Sequence, residues 1–170
     1  MYSFVLGFLS KIENHTMITL DATDRKLLLE LQKDAKQSIK QLAEKVNLSI
    51  TPVHERIKKL ESAGVIQNYA AVIDPKALGK KLLVYCQVTL VRHQESLFEE
   101  FESYVLGLDE VLEASYIAGT YDFLLKLLLD DMEDYQNFAV HKISKLEIIS
   151  NIKSAFVIRS IKESSVINCL

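Results

Sequence analysis

The segment from Ser38 to Gly64 leaves the chain little freedom, because it encodes two helices and the tight turn between them. Ser38 and Gln41 have S-x-x-Q spacing, in which the serine side chain caps a first-turn amide and the glutamine reaches back to the cap amide. Leu42, Ala43 and Val46 supply one apolar side. Asn47 stops this helix after barely two turns, since asparagine tolerates the left-handed conformation. Beyond Asn47-Leu48-Ser49, Pro52 fits a first helical turn, where its missing amide has no partner to lose. A longer helix therefore starts near Ser49 or Thr51, buries Val53, Ile57 and Leu60 at i, i+4, i+7, and is capped by Gly64. Such a short pair buries little alone. Asp21 as N-cap, Asp24 in a first turn and the stripe Leu27, Leu28, Leu31 predict a further helix just upstream, which completes a tri-helical helix-turn-helix core.

Val65 to Ile73 reads as a strand, and Asp74-Pro75 with Gly79 as a turn or hinge, placing a domain boundary at about Lys80. Charge divides at the same place. Met17 to Lys80 holds eleven Lys and Arg against eight Asp and Glu, a net of +3, whereas Leu82 to Leu170 holds seven against fourteen, a net of −7. Only the front half suits a polyanion.

The back half has a different rhythm. Val84, Cys86, Val88 and Leu90 alternate with more polar residues, the period of a strand, and Leu97, Phe98, Phe101, Val105 and Leu108 have helical spacing. Val111 to Ala118 and Phe123 to Leu129 read as strands joined by Gly119-Thr120-Tyr121-Asp122. Met132, Tyr135, Phe138, Ala139, Ile143 and Leu146 form a second helical stripe, and Ser154 to Ile161 a last strand. The order β-α-β-β-α-β is that of the ferredoxin-like split motif, so the fold class is α+β. Both helices cover one face of such a sheet, yet Phe123 to Leu129 is apolar on both sides. A second copy of the sheet is the simplest cover, giving a homodimer in which Leu125 and Leu127 are expected on the open face.

Taken in order, several segments resemble the leucine-responsive and asparagine-operon (Lrp/AsnC, feast/famine) regulators, with the leucine-responsive branch closest. They are Leu20-Asp21 through Leu31, Leu42-Ala43 through Leu48-Ser49, and Thr51-Pro52-Val53 with Glu55-Arg56-Ile57 and Leu60-Glu61. Gly64-Val65-Ile66 with Tyr69, Gly119 with Tyr121-Asp122, and Ser154 to Lys162 follow, so the likeness spans about residues 20 to 165. The resemblance implies a winged helix-turn-helix over residues 17–80 with its linker strand, and an effector-binding, oligomerising domain over residues 81–170. It further implies dimers that assemble into octamers, small amino acids as effectors, and cytoplasmic transcriptional regulation of amino-acid metabolism. Thr120 stands where the family usually has an acidic residue, a departure that bears on effector preference. Asn47 replaces a common turn glycine, which turn chemistry allows.

On the third helix, Ser49, Thr51, Pro52, His54, Glu55, Arg56, Lys58 and Lys59 are the candidate contacts to double-stranded DNA. A recognition helix uses such side chains for phosphates and base edges, its first turn entering the major groove. The plain alternative is a solvated basic face, and Arg56 could instead be tied to an acidic neighbour. Gly119, Thr120, Tyr121 and Asp122 are the candidate effector residues, Asp122 for an ammonium and nearby amides for a carboxylate, with a simple β-turn as the alternative.

His15, His54, His93 and His141 are scattered, without a nucleophile-base spacing, an HExxH, a GxGxxG or a phosphate loop, so no catalytic site is expected. Neither metal ligands nor a cofactor is expected, and Cys86 and Cys169 read as reduced thiols. The apolar run Tyr2 to Leu9 is too short for a bilayer, which takes about twenty residues, and lacks signal-peptide flanks. Residues 1–16 therefore read as a dispensable leader ahead of Met17, with a short helix on a partner subunit as the alternative. Two rival functions remain open: an amino-acid-binding regulatory module of a metabolic enzyme, and a nucleoid-organising DNA-binding protein.

Overall fold

The structure, a computed structural model, describes residues 18–169, and the leader expected at residues 1–16 lies outside them. The described chain falls into two compact units. One runs to Ala71 and takes in residues 162–169, and the other is Val72–Ile161. Sequence places the division at about Lys80 and keeps the C-terminus with the back domain; the structure places it at Ala71/Val72 and groups the last residues with the helices.

The first unit is built from α1 (Ala22–Lys33), α2 (Ile39–Val46) and α3 (Ile50–Ser62). Asp21 and Asp24 form a reciprocal cap at the start of α1, and Ser38 and Gln41 do the same for α2. Asn47 takes the left-handed conformation at φ 55 that stops α2. Leu27, Leu31, Leu42, Ala43, Val53 and Ile57 make the common core, with Ile39, Val46 and Ile66 packed against it. Glu30 ties α1 to α2, accepting from Lys33 at 2.7 Å and Lys45 at 2.6 Å, and these two ammonium groups hold its carboxyl down to about 2.

Val65 to Ile73 is not a strand. A strand needs a ladder partner, and among the described residues this segment has none. Its start is tied down, with Val65 N and Ile66 N donating to Leu60 O at 3.0 and 3.2 Å and Ile66 packed on the helical core; further along, the Tyr69 hydroxyl donates to Glu61 on α3 at 2.8 Å, while Val72 and Ile73 are exposed. Burial and that carboxylate push the Tyr69 phenol up to about 12.

The second unit opens with a 3-10 turn, Pro75–Leu78, capped by Asp74 and closed by Gly79 at φ 81, a backbone position that favours glycine. There follow β1 (Leu82–Leu90), α4 (Glu95–Val105), β2 (Val111–Tyr116), β3 (Phe123–Leu129), α5 (Met132–Asn137) and β4 (Ile149–Phe156). The antiparallel sheet has the order β2-β3-β1-β4, the ferredoxin-like arrangement. Phe123 anchors the covered face, lying 4.5 Å from Phe101 and 5.4 Å from Phe98 between ring centroids. After Asn137, α5 continues as a π-helical turn, Phe138–Ile143. Its i+5 step explains how Phe138 and Ile143 both reach the core.

Two expectations about the sheet need correction. Leu125 and Leu127 lie under the helices, both 0% exposed, because they pair with Cys86 and Val84 on the covered face. The open face is instead carried by Leu124, Lys126 and Leu128, with Leu83, Tyr85, Gln87 and Thr89 beside them. The last strand is Ile149–Phe156 and not Ser154 to Ile161. Phe156 already pairs with Val84, and one further bond, Val157 N to Leu83 O, uses up the end of β1. Ile158 and Ile161 have no strand left to meet and stay exposed.

Candidate functional site

Two sets of candidate residues lie in separate units. On α3, the buried side Val53, Ile57 and Leu60 faces the helical core, which fixes what remains outward. Ser49, Thr51, His54, Glu55, Lys58 and Lys59 are all exposed, with Pro52 half-buried in the first turn. Ser49 is the N-cap residue, yet its side chain makes no capping hydrogen bond, so the first-turn amides of α3 lack the internal acceptor that α1 and α2 have. A helix start of this kind carries partial positive charge and unspent donors, to which Lys58 and Lys59 add two cations on the solvent side.

Arg56 is placed differently. Its Nη1 donates to Asp21 Oδ2 and Asp24 Oδ1, each at 2.6 Å. Asp24 is buried, and its other oxygen accepts the Asp21 amide at 3.2 Å. The bond to Asp24 and then that to Asp21 raise the pKa of Arg56, which is fully charged in any case. The Asp24 amide first, then Arg56, hold Asp21 below the usual carboxylate range. Arg56 thus locks α3 to the N-terminus of α1, the internal alternative that sequence leaves open.

In the second unit, residues 117–122 connect β2 to β3. Gly119 and Thr120 are exposed, Tyr121 is half-buried and Asp122 is buried. Asp122 does structural work that sequence does not reveal. Its amide donates to Val88 O at 2.9 Å, its carbonyl accepts from Ile117 N at 2.7 Å, and its Oδ2 accepts from Leu90 N at 2.8 Å. The carboxylate stands in for a missing β3 residue where β1 outruns its partner beyond Val88, next to the register shift at Thr89/Leu90. Its Oδ1 faces His93 Nε2 at 3.0 Å. One oxygen is committed to the backbone, and only the other is open to exchange.

His93 is the residue that sequence reasoning misses here. Only the fold brings it to Asp122, although its place just past the end of β1 is a weak signal. Lys142 and Glu110 are a second case: their ion pair joins the π-helical turn to the start of β2. Among the described residues no group of His, Cys, Asp and Glu could hold a metal ion, and no helix is long and apolar enough to cross a membrane.

Comparison with known proteins agrees with both halves. Residues 20–67 match the winged helix-turn-helix DNA-binding family, and residues 83–167 match the Lrp/AsnC ligand binding domain. The leucine-responsive regulatory protein of Haemophilus influenzae is 36% identical over 157 residues, covering 92% of this chain and 95% of its own length. That of Escherichia coli K12 is 36% identical over 146 residues, covering 86% and 89%. Among solved structures, a transcriptional regulator of Neisseria meningitidis in complex with L-Met superposes with a TM-score of 0.84 at 31% identity, over 88% of this chain and 96% of that one. An AsnC family regulator from Agrobacterium tumefaciens gives 0.82 at 34% identity, over 86% and 95%. The exposed basic helix and the split sheet therefore belong to one known design, and the chain is a member of the Lrp/AsnC family of DNA-binding transcriptional regulators.

Proposed function

We propose that this chain regulates genes of amino-acid metabolism in the cytoplasm, docking α3 in the major groove of operator DNA and sensing a small apolar amino acid at the loop between β2 and β3. The observation that carries the DNA half is the outward side of α3: His54, Lys58 and Lys59 are exposed and the helix start lacks a side-chain cap, while Arg56 is withdrawn into the fold. His54, with Ser49 and Thr51 in the leading turn, reads base edges, and Lys58 and Lys59 take phosphates. Glu55 lies among them, where its charge disfavours a phosphate on its own side.

The ligand class comes from the Neisseria regulator, which was crystallised with L-Met. An amino acid brings an ammonium and a carboxylate. In this chain Asp122 Oδ1 is the acceptor for the first, in exchange with His93, and the exposed amides around Gly119 and Thr120 serve the second. Thr120 brings no charge to pair with a basic side chain, which favours apolar effectors. A homodimer formed through the open sheet face, and octamers built from it, complete the proposed assembly.

Footprinting on genomic fragments, with each of the twenty amino acids in turn, tests the reading. Discrete protected sites whose occupancy moves with leucine or methionine are expected, and Asp122→Asn should blunt that movement. Long protection without sequence preference would replace the local regulator by a nucleoid organiser. Preference for lysine or arginine would overturn the role given to Thr120.

A further inference from the structure

Beyond β4 the chain does something the effector fold has no need of. After Val157 the sheet offers no further bond among the described residues, residues 158–161 are exposed, and residues 162–169 group with the helical unit. There they lie along α1. The side-chain amide of Gln32 makes a reciprocal pair with one residue of the tail: Nε2 donates to Ile167 O at 3.0 Å, and Oε1 accepts from Ile167 N at 2.7 Å. Both polar atoms of the glutamine are matched to both backbone polar groups of Ile167, much as an added strand is recognised by its main chain. Gln32 Nε2 also lies 3.2 Å from Cys169 Sγ, and Arg25 Nη1 donates to Cys169 O at 3.2 Å. Arg25 and Gln32 are seven residues apart, two turns of helix, and so share a side of α1 opposite the core leucines Leu27 and Leu31.

We propose that residues 162–169 are a strap in cis, a backbone ligand of α1 held by Gln32 that couples the effector sheet to the DNA-binding helices. Apart from it, the covalent path between the helical unit and the sheet among the described residues is the segment that leads into β1. With it, movement of β4 also reaches α1 through the short spacer 158–161. The way the strap is held suits a reversible device. Its apolar residues are only partly covered, Ile167 being 74% exposed and Val166 41%, so hydrogen bonds more than buried area keep it seated. A few net hydrogen bonds, set against the entropy of ordering a tail, favour the seated form by only roughly tenfold. A change in the effector domain can move a ratio of that size. The coupling rests on the effector reading above, whereas the docking does not.

The chain carries its own reporter. It has two cysteines, of which Cys86 is buried, with its thiol pushed up by that burial, so Cys169 is the thiol that a water-soluble disulfide reagent meets. The first measurement is the rate of Cys169 modification by Ellman's reagent in the full chain. Gln32→Ala should raise it by roughly tenfold, the advantage of the seated tail. Gln32→Glu, which keeps the acceptor and loses the donor, should fall between. Equal rates in all three overturn the strap. The second measurement is DNA affinity with and without methionine, for the wild type, for Gln32→Ala and for a chain ending at Ile161. Both variants should bind DNA yet lose most of the methionine-dependent change. Wild-type chain that binds DNA but ignores every amino acid overturns the effector reading and the coupling with it. Variants that respond as the wild type does overturn the coupling alone.

Discussion

Arg56 gives the sharpest test, because its position on α3 suggests a contact to DNA and its geometry assigns it to the fold. Arg56→Ala removes two 2.6 Å charge-assisted bonds and strands the carboxylate of Asp24, whose side chain is 5% exposed. Breaking one partner of a fully buried ion pair costs about 3–5 kcal/mol. Two features lower that figure here: the Arg56 side chain is 32% exposed, and Asp24 keeps the Asp21 amide on its second oxygen. The expected loss is about 2–3 kcal/mol. For a small unit this lowers the midpoint of thermal unfolding by roughly 10 °C or more. Arg56→Lys, with a single ammonium in place of the fork, should recover part of it. Denaturant unfolding followed by circular dichroism measures the loss, and DNA titration at low temperature, where the variant is still folded, should give an affinity within about threefold of the wild type. The difference has a pH signature. Asp21 is depressed in the folded state, so its share of the stability is complete above the usual carboxylate range and lost as pH falls through its folded value. The gap between wild type and Arg56→Ala should therefore narrow below about pH 4. A tenfold loss of DNA affinity with less than about 1 kcal/mol of destabilisation would refute the lock and return Arg56 to the DNA.

Lys58→Ala and Lys59→Ala should behave oppositely, leaving stability unchanged while weakening binding to all sequences and lowering the salt slope by about one unit for each phosphate no longer neutralised. Unchanged affinity across a salt titration in both would remove the phosphate role. On the sheet, Leu128→Glu should dissociate the proposed dimer by burying two like charges per interface, at a cost of several kcal/mol, whereas Leu125→Glu should unfold the domain itself, since Leu125 is 0% exposed. Sedimentation equilibrium separates the two, and a Leu128→Glu chain as dimeric as the wild type would place the interface elsewhere. Glu30→Gln should destabilise the helical unit at neutral pH and match the wild type in acid. The Glu30 carboxyl is held down to about 2, so its contribution is whole above its ordinary 4.5 and disappears between there and 2; equal stability at pH 7 would show that the bridge to Lys33 and Lys45 contributes nothing.

What sequence makes visible is whatever is decided within a few neighbouring residues. The caps at Asp21 and Ser38 and the left-handed stop at Asn47 each follow from the chemistry of a single turn, and each is found in place. The split-sheet order is legible for the same reason, since it is a succession of local periods. What sequence misses is decided across the chain. Val65 to Ile73 has the composition of a strand, but a strand exists only by pairing, and β propensity says nothing about a partner. The sides of β3 are hard to tell apart because every residue but Lys126 is apolar, so the phase rests on that single polar position, which lies on the open face opposite Phe123, packed on Phe98 and Phe101. Sequence places β4 too late because Ile158 and Ile161 look as buried as Ile149 and Ile152, and only the length of β1 distinguishes them.

The same divide separates the two candidate sites. Sequence marks a charged residue in a loop or on a helix as available, and cannot see whether another residue has already used it. Arg56 and Asp122 are the most prominent cation and anion of their respective sets, and the fold spends both: Arg56 on Asp21 and Asp24, Asp122 on the Leu90 amide. The consequences differ. Arg56 has its carboxylates 2.6 Å away on one nitrogen, so withdrawing it to reach a phosphate would uncover a buried charge, and of the basic residues proposed to meet DNA only His54, Lys58 and Lys59 stay on the outward side of α3. Asp122 keeps one oxygen whose partner is a side chain, His93, itself more than half exposed. An imidazole in that position can give way to an ammonium at the cost of one solvent-screened interaction, while the backbone bond through the other oxygen holds the carboxylate still. On the proposed reading, internal use removes Arg56 from recognition and pre-positions Asp122 for it, with the exposure of the partner as the difference between them.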